Sequence, residues 1–168
     1  MKKVILFCFG LLLICFASSI TLVSCKGKKS TVEKPATKSF GKAIIVVKPE
    51  SVEEVKKDRA YDIGKRLLES CNTSRFKTFN GVEATEKVRQ NATREKISAI
   101  CKKINQRNGR FLNINLIDIT FNKKTKEHIF RYSIGYEKTL YKRELFVTIN
   151  PANQVSAIST KEIPPKPL

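Results

Sequence analysis

At Gly109 the spacing of the apolar residues changes, and the change divides the chain into two kinds of backbone. Upstream, apolar side chains recur every three or four positions, as on one face of a helix; downstream they alternate, as on one face of a strand. A chain that lists its helices first and its strands afterwards does not have the alternating units of a parallel sheet. It predicts a single α+β domain, with helices packed on one face of an antiparallel meander.

The helical half divides into three. Ser51-Val52-Glu53-Glu54 has the form of a capping box, Ser51 accepting from the backbone and Glu54 reaching back. The helix it opens carries Val52, Val55, Ile63 and Leu67 on one stripe, with Ala60 and Cys71 beside it, and is expected from about Val52 to Cys71. Asn72-Thr73-Ser74 breaks it. Phe76 and Phe79 lead into the turn Asn80-Gly81, and a short helix is expected from about Val82 to Asn91 with Val88 inward. Thr93 caps a third helix, in which Ile97, Ile100, Cys101 and Ile104 share one face, and Asn108-Gly109 supplies its left-handed stop.

The second half reads as about four strands. From Phe111 to Phe121 the apolar phase slips between Leu116 and Ile117, which a β-bulge would reconcile. Asn122-Lys123-Lys124-Thr125 marks a hairpin turn. Strands follow over His128–Tyr136, with Phe130, Tyr132 and Ile134 on one face, and over Thr139–Ile149, with Tyr141, Leu145, Val147 and Ile149 on one face. Asn150-Pro151-Ala152-Asn153 turns the chain into a last strand, Val155–Thr160, and a proline-rich tail covers 163–168. Ahead of the helices, Ala43-Ile44-Ile45-Val46-Val47 suits a short strand, at a sheet edge or as an interaction segment, ended by Pro49. The domain is therefore expected over 43–162.

This element order, from about Val52 to Thr160, resembles the cystatin-like cone of the nuclear transport factor 2-like superfamily, particularly its small exported bacterial domains. The resemblance implies a curved antiparallel sheet with its helices on one face. It implies no activity, because that scaffold hosts enzymes, ligand binders and assembly modules alike.

The N-terminus supplies an address. Lys2 and Lys3 precede an apolar run from Val4 to Phe16, and small and polar residues then lead to a cysteine, the layout of a secretory signal. Val4 to Val23 is also close to the ~20 residues a spanning helix needs, so a retained anchor competes. Leu22-Val23-Ser24-Cys25 resembles the bacterial lipobox, which implies cleavage before Cys25 after lipid is attached to its thiol. Leu12-Leu13-Ile14-Cys15 matches less well, since Ile14 is bulky; a lipid-free cut after Ser19 is the stronger competitor. With a lipid on Cys25, residues 1–24 are signal and the Lys-, Ser- and Thr-rich stretch 25–42 is a flexible tether in the cell envelope, facing the periplasm. Two or three acyl chains hold such an anchor firmly, at about 0.8 kcal/mol per buried methylene.

Of the 33 basic residues, 31 follow Lys3, against 15 acidic ones, so the mature charge would be +16. Nucleic acid would ordinarily suit such a surplus, but the envelope address disfavours it as a partner. Anionic lipid, a polysaccharide or an acidic protein fits better. Lys123, Lys124, Lys126, Lys138, Lys142 and Arg143 are expected along one edge of the sheet, where lysines also serve to deter edge-to-edge pairing.

Candidate chemistry is sparse. Cys71 and Cys101 either form a disulfide, which export permits, or pack as free thiols. His128 is the only histidine, and Asp118 and Asp62 are its conceivable acidic partners in a catalytic arrangement. Tyr132, Tyr136 and Tyr141 either line a cavity or fill core. No glycine-rich phosphate loop, nucleophile elbow or paired metal ligands stand in the sequence, and no cofactor is expected. Asn72-Thr73-Ser74 and Asn91-Ala92-Thr93 match the glycosylation sequon but read here as a helix end and a cap. The expectation is a lipid-anchored binding or assembly module rather than an enzyme.

Overall fold

The structure, a computed structural model, describes residues 43–164. The signal segment, Cys25, the tether and residues 165–168 of the tail lie outside the described residues. Within them the chain forms β1 (Ile44–Val47), a 3-10 turn (Pro49–Ser51), α1 (Glu54–Thr73), α2 (Glu86–Asn91) and α3 (Arg94–Asn108). Strands β2 (Phe111–Asn122), β3 (Glu127–Tyr136), β4 (Lys142–Ile149) and β5 (Val155–Ile163) follow. The class is α+β, with a curved, unclosed antiparallel sheet in the order β1-β2-β3-β4-β5.

That sheet has five strands, not four. The added one is β1, which pairs antiparallel with the far half of β2, Val47 opposite Ile119 and Ile45 opposite Phe121. Its β-branched run alternates in burial, so Ile44 and Val46 stay exposed while Ile45 and Val47 turn inward. The run is too short to announce which strand it joins.

The phase slip in β2 is a bulge. Leu116 pairs with Tyr132 and Asp118 with Arg131, so Ile117 has no partner in the register. The extra residue keeps Leu116 and Ile119 on the same face. A second irregularity between Phe111 and Asn113 is not visible in the alternation; it turns Leu112 outward and buries Phe111.

The core lies between α1 and the inner face of the sheet. Ala60, Ile63 and Leu68 meet Phe130, Leu145, Val147 and Ile149, all essentially without solvent contact. Gly64 lets the helix lie this close, since a Cβ there would stand 2.7 Å from the Leu145 side chain.

Several boundaries differ from expectation. The capping box does not form: Glu53 is the N-cap of α1 and makes no side-chain capping bond. Ser51 Oγ instead donates to the Lys48 carbonyl at 2.7 Å, inside a turn whose geometry Pro49 favours. The helix therefore begins two residues later than expected, and Val55 falls on its exposed side. α2 is shorter because Asn80 Oδ1 accepts from the backbone N–H groups of Val82 and Glu83, both at 2.9 Å, and holds a turn there. Thr93 does cap α3, accepting from the Lys96 N–H at 3.4 Å; Gly109 ends it at a φ of +75° but a ψ of -161°, an extended positive-φ conformation rather than the left-handed helical one expected. β4 starts at Lys142, which leaves Tyr141 on the surface beneath the Arg107 guanidinium, 4.3 Å from the ring centre. β5 continues to Ile163, into the expected tail.

Candidate functional site

Three helices cannot all cover one sheet face with equal intimacy. α1 takes the centre, and α3 lies over the C-terminal part of α1, joined to it by the Cys71–Cys101 disulfide, Cα atoms 4.8 Å apart. Asn105 Nδ2 donates to the Cys71 carbonyl at 2.8 Å, and fully buried Asn108 donates through Nδ2 to the Tyr141 carbonyl at 2.8 Å. α3 is thus pinned along its inner stripe, while its two flanks remain open.

On one flank lies a groove of about 300 Å³ between α1, α2, α3 and β5. Its walls are apolar: Leu68 of α1, Val88 and Ala92 of α2, Ile97, Ile100 and Ile104 of α3, and Ile158 of β5. Lys87 and Asn91 stand among the few polar side chains there. An apolar hollow with a small number of polar groups is the usual form of a binding site. Ile100 is 51 % exposed, an isoleucine at the mouth that the protein itself leaves uncovered.

On the other flank is a wider, shallower bay of about 1120 Å³, with Arg75, Lys77, Arg94 and Lys102 around it and Glu95 as the one acid. The Glu95 carboxyl is held below its usual range by backbone and Thr93 hydrogen bonds. The disulfide and Ile97 border both hollows.

The end of the groove nearest α2 is braced. Arg66 Nη1 donates to Glu83 Oε1 at 2.8 Å, and the Asn80 N–H donates to Glu83 Oε2 at 2.9 Å. The Arg66 bond foremost, against an opposing effect of burial, keeps the Glu83 carboxyl below the usual carboxylate range. Gln154 Nε2 donates to the Gly81 carbonyl at 2.6 Å, and Ala84 forms a parallel bridge with Val155. At the opposite end Arg107 Nη2 meets Glu162 at 3.1 Å, joining α3 to β5.

The basic residues expected along one edge are divided. Lys123, Lys124 and Lys126 sit in the β2–β3 turn, whereas Lys138, Lys142 and Arg143 lie at the other end of β3. A ten-residue strand separates the two sets by roughly 30 Å. Arg143 is engaged with Glu162 at 3.3 Å and Thr160 at 3.0 Å, and Lys138 Nζ donates to the Gln106 carbonyl at 3.2 Å. A meander brings together only alternate turns, so the one basic edge does not form.

His128 and its expected acids are likewise apart. His128 pairs with Phe121 on the inner face, its ring 4.8 Å from the phenylalanine, whereas Asp118 pairs with Arg131 and projects from the outer face. There Asp118 accepts two hydrogen bonds from the Arg131 guanidinium. Asp62 is exposed on α1. Burial foremost, then the charge of Lys56, depresses the His128 imidazole below its ordinary range, while Glu53 opposes the shift. Lys56 itself is buried and paired with Glu53 at 2.6 Å. Tyr132 and Tyr136 fill core, where burial pushes the Tyr136 phenol up to about 12 and raises that of Tyr132 further.

Among the described residues no group of three His, Cys, Asp or Glu is placed to hold a metal ion, and no helix is long and apolar enough to cross a membrane. Sequence reasoning missed the groove as a site. Its one signal was Ile100, which widens the α3 stripe beyond what contact with α1 requires. In comparisons with protein-family models, curated proteins and solved structures, no match to the chain was found.

Proposed function

We propose that this chain is a lipid-anchored protein of the bacterial cell envelope, held through Cys25 and facing the periplasm, that works by non-covalent binding in the groove beneath α3. The groove is the observation that carries the binding half of this reading: an apolar hollow of about 300 Å³, braced at both ends, with half-exposed Ile100 at its mouth. The Leu22-Val23-Ser24-Cys25 stretch supports the anchor. A helix-first chain ending in a curved antiparallel meander supports an affinity with the cystatin-like, nuclear transport factor 2-like cone, whose members include non-enzymatic binding modules. In this reading the positive charge serves attraction to anionic surfaces rather than a dedicated nucleic-acid site.

A photo-crosslinking amino acid placed at position 100 in the intact cell tests the binding. The reading expects a discrete adduct there and none from the same group at Val46, which is exposed on the outer face of the sheet. Equal adducts at both positions, or none at position 100, would contradict it.

A further inference from the structure

The edge strand β5 carries the inference. At its first residue the outer edge is already in use: the Val155 N–H donates to the Glu83 carbonyl at 2.9 Å, and the Thr85 N–H donates to the Val155 carbonyl at 3.0 Å. Residues 83–85 thus lie against β5 as a fragment of a sixth strand. At Glu86 the chain leaves that line to form α2, and among the described residues no strand continues it.

The groove begins where the fragment stops. It is lined by five successive residues of β5, Ser156 to Thr160. Side chains of a strand alternate between its faces, so a hollow that touches every residue in turn runs along the edge. β5 is the edge of the sheet, and beyond Val155 its outward backbone groups have no backbone partner among the described residues. An open edge of this kind is a template for strand addition, and native proteins ordinarily blunt it.

The surroundings select the partner's charge. Lys87 lines the groove. Lys96 and Lys103 lie four residues before and three after Ile100, on the same flank of α3. The Lys96 ammonium reaches the Gln90 carbonyl of α2 at 3.2 Å, over the turn that joins α2 to α3. None of the three has an acidic partner among the described residues, whereas the nearby acids are engaged: Glu86 with Arg89, Glu162 with Arg107 and Arg143.

We infer that the groove receives an extended acidic peptide segment of another protein as a sixth strand on β5, an aliphatic side chain seated against Ile100, Val88 and Ile158. This rests on the groove-binding reading and deepens it. Strand addition supplies affinity through main-chain hydrogen bonds and specificity through alternate side chains. An acyl chain would fill the apolar walls but leave the edge groups without partners.

The test uses the mature chain purified in detergent and a fluorescein-labelled hexapeptide alternating aspartate with isoleucine, followed by anisotropy. Saturable binding is expected. Methylating alternate backbone nitrogens of the peptide should weaken it about tenfold, the equivalent of one or two lost main-chain bonds. Replacing aspartate by lysine in the peptide, or Lys87→Glu in the protein, should weaken it by a similar factor, and Ile100→Asp should remove it. Both protein positions are exposed, so circular dichroism should show unchanged folding. Absence of peptide binding, or equal binding by the methylated and unmethylated peptides, overturns strand addition. If dodecanoate binds instead and Ile100→Asp abolishes that binding, the groove reading stands and the peptide proposal falls. Failure of the position-100 crosslink in cells removes the groove reading itself.

Discussion

Asn72 holds Phe111 by both of its backbone groups: Asn72 Nδ2 donates to the Phe111 carbonyl at 2.8 Å, and the Phe111 N–H donates to Asn72 Oδ1 at 2.9 Å. A side-chain amide here copies the pairing a neighbouring strand would give. It ties the last turn of α1 to the first residue of β2, across 39 positions of sequence. Asn72→Ala leaves both partly buried backbone groups without protein partners and is expected to lower stability by about 1–3 kcal/mol. Urea unfolding of the two proteins measures it, and an unchanged midpoint would mean that water replaces the amide at no cost.

Gly64 sets the distance between α1 and the sheet. Alanine is the better helix former by about 1 kcal/mol, yet its Cβ would stand 2.7 Å from Leu145 Cδ2 and 3.4 Å from Val147 Cγ2. Leu145 and Val147 are fully buried and have little room to yield. Gly64→Ala should therefore be net destabilising, by roughly 1–3 kcal/mol before the propensity gain is subtracted. A rise in melting temperature would show that the helix simply shifts outward.

The Cys71–Cys101 bond closes a loop with a sequence separation of 30 and fastens α3, one wall of the groove, to α1. Chain-entropy arguments give such a crosslink roughly 3–4 kcal/mol. Thermal unfolding with and without reductant, and of Cys101→Ser, should show a matching loss in both cases. Equal stability of oxidised and reduced protein would contradict the role assigned to the bond.

His128 gives a pH dependence of definite sign. Its folded-state value is depressed, so the unfolded chain binds the proton more readily and stability falls as pH drops through the unfolded value near 6.5. The carboxyls of Glu53 and Glu83 are also depressed, but their contributions persist above 4.5 and fade as pH falls below it. Denaturant midpoints between pH 7.5 and 5 should therefore decline in the wild type and stay flatter in His128→Gln. Parallel profiles would show that the imidazole titrates freely.

The fold was legible where period alone decides. The change at Gly109, the bulge near Leu116, the Thr93 cap and the hairpin after Phe121 each follow from local spacing or turn chemistry. Where two local signals competed, tertiary contacts chose. Ser51 and Glu54 form no capping box because the Pro49 turn engages Ser51 first. The strand at Ile44 was readable as a strand but not as the fifth member of the sheet, since its partner lies more than seventy residues on. The groove was illegible for the same reason: its walls come from α1, α2, α3 and β5, and no short stretch of sequence contains them. The six basic residues misled because nearness in a list of loops is not nearness across a meander.

The intact mass of the natural mature chain, extracted from the envelope, tests whether a lipidated cysteine fixes this domain to a membrane. An N-terminus at Cys25 is expected, carrying a diacylglyceryl group and, where the amino group is also modified, one further acyl chain. A chain beginning at Ile20, or at an unmodified Cys25, would contradict it.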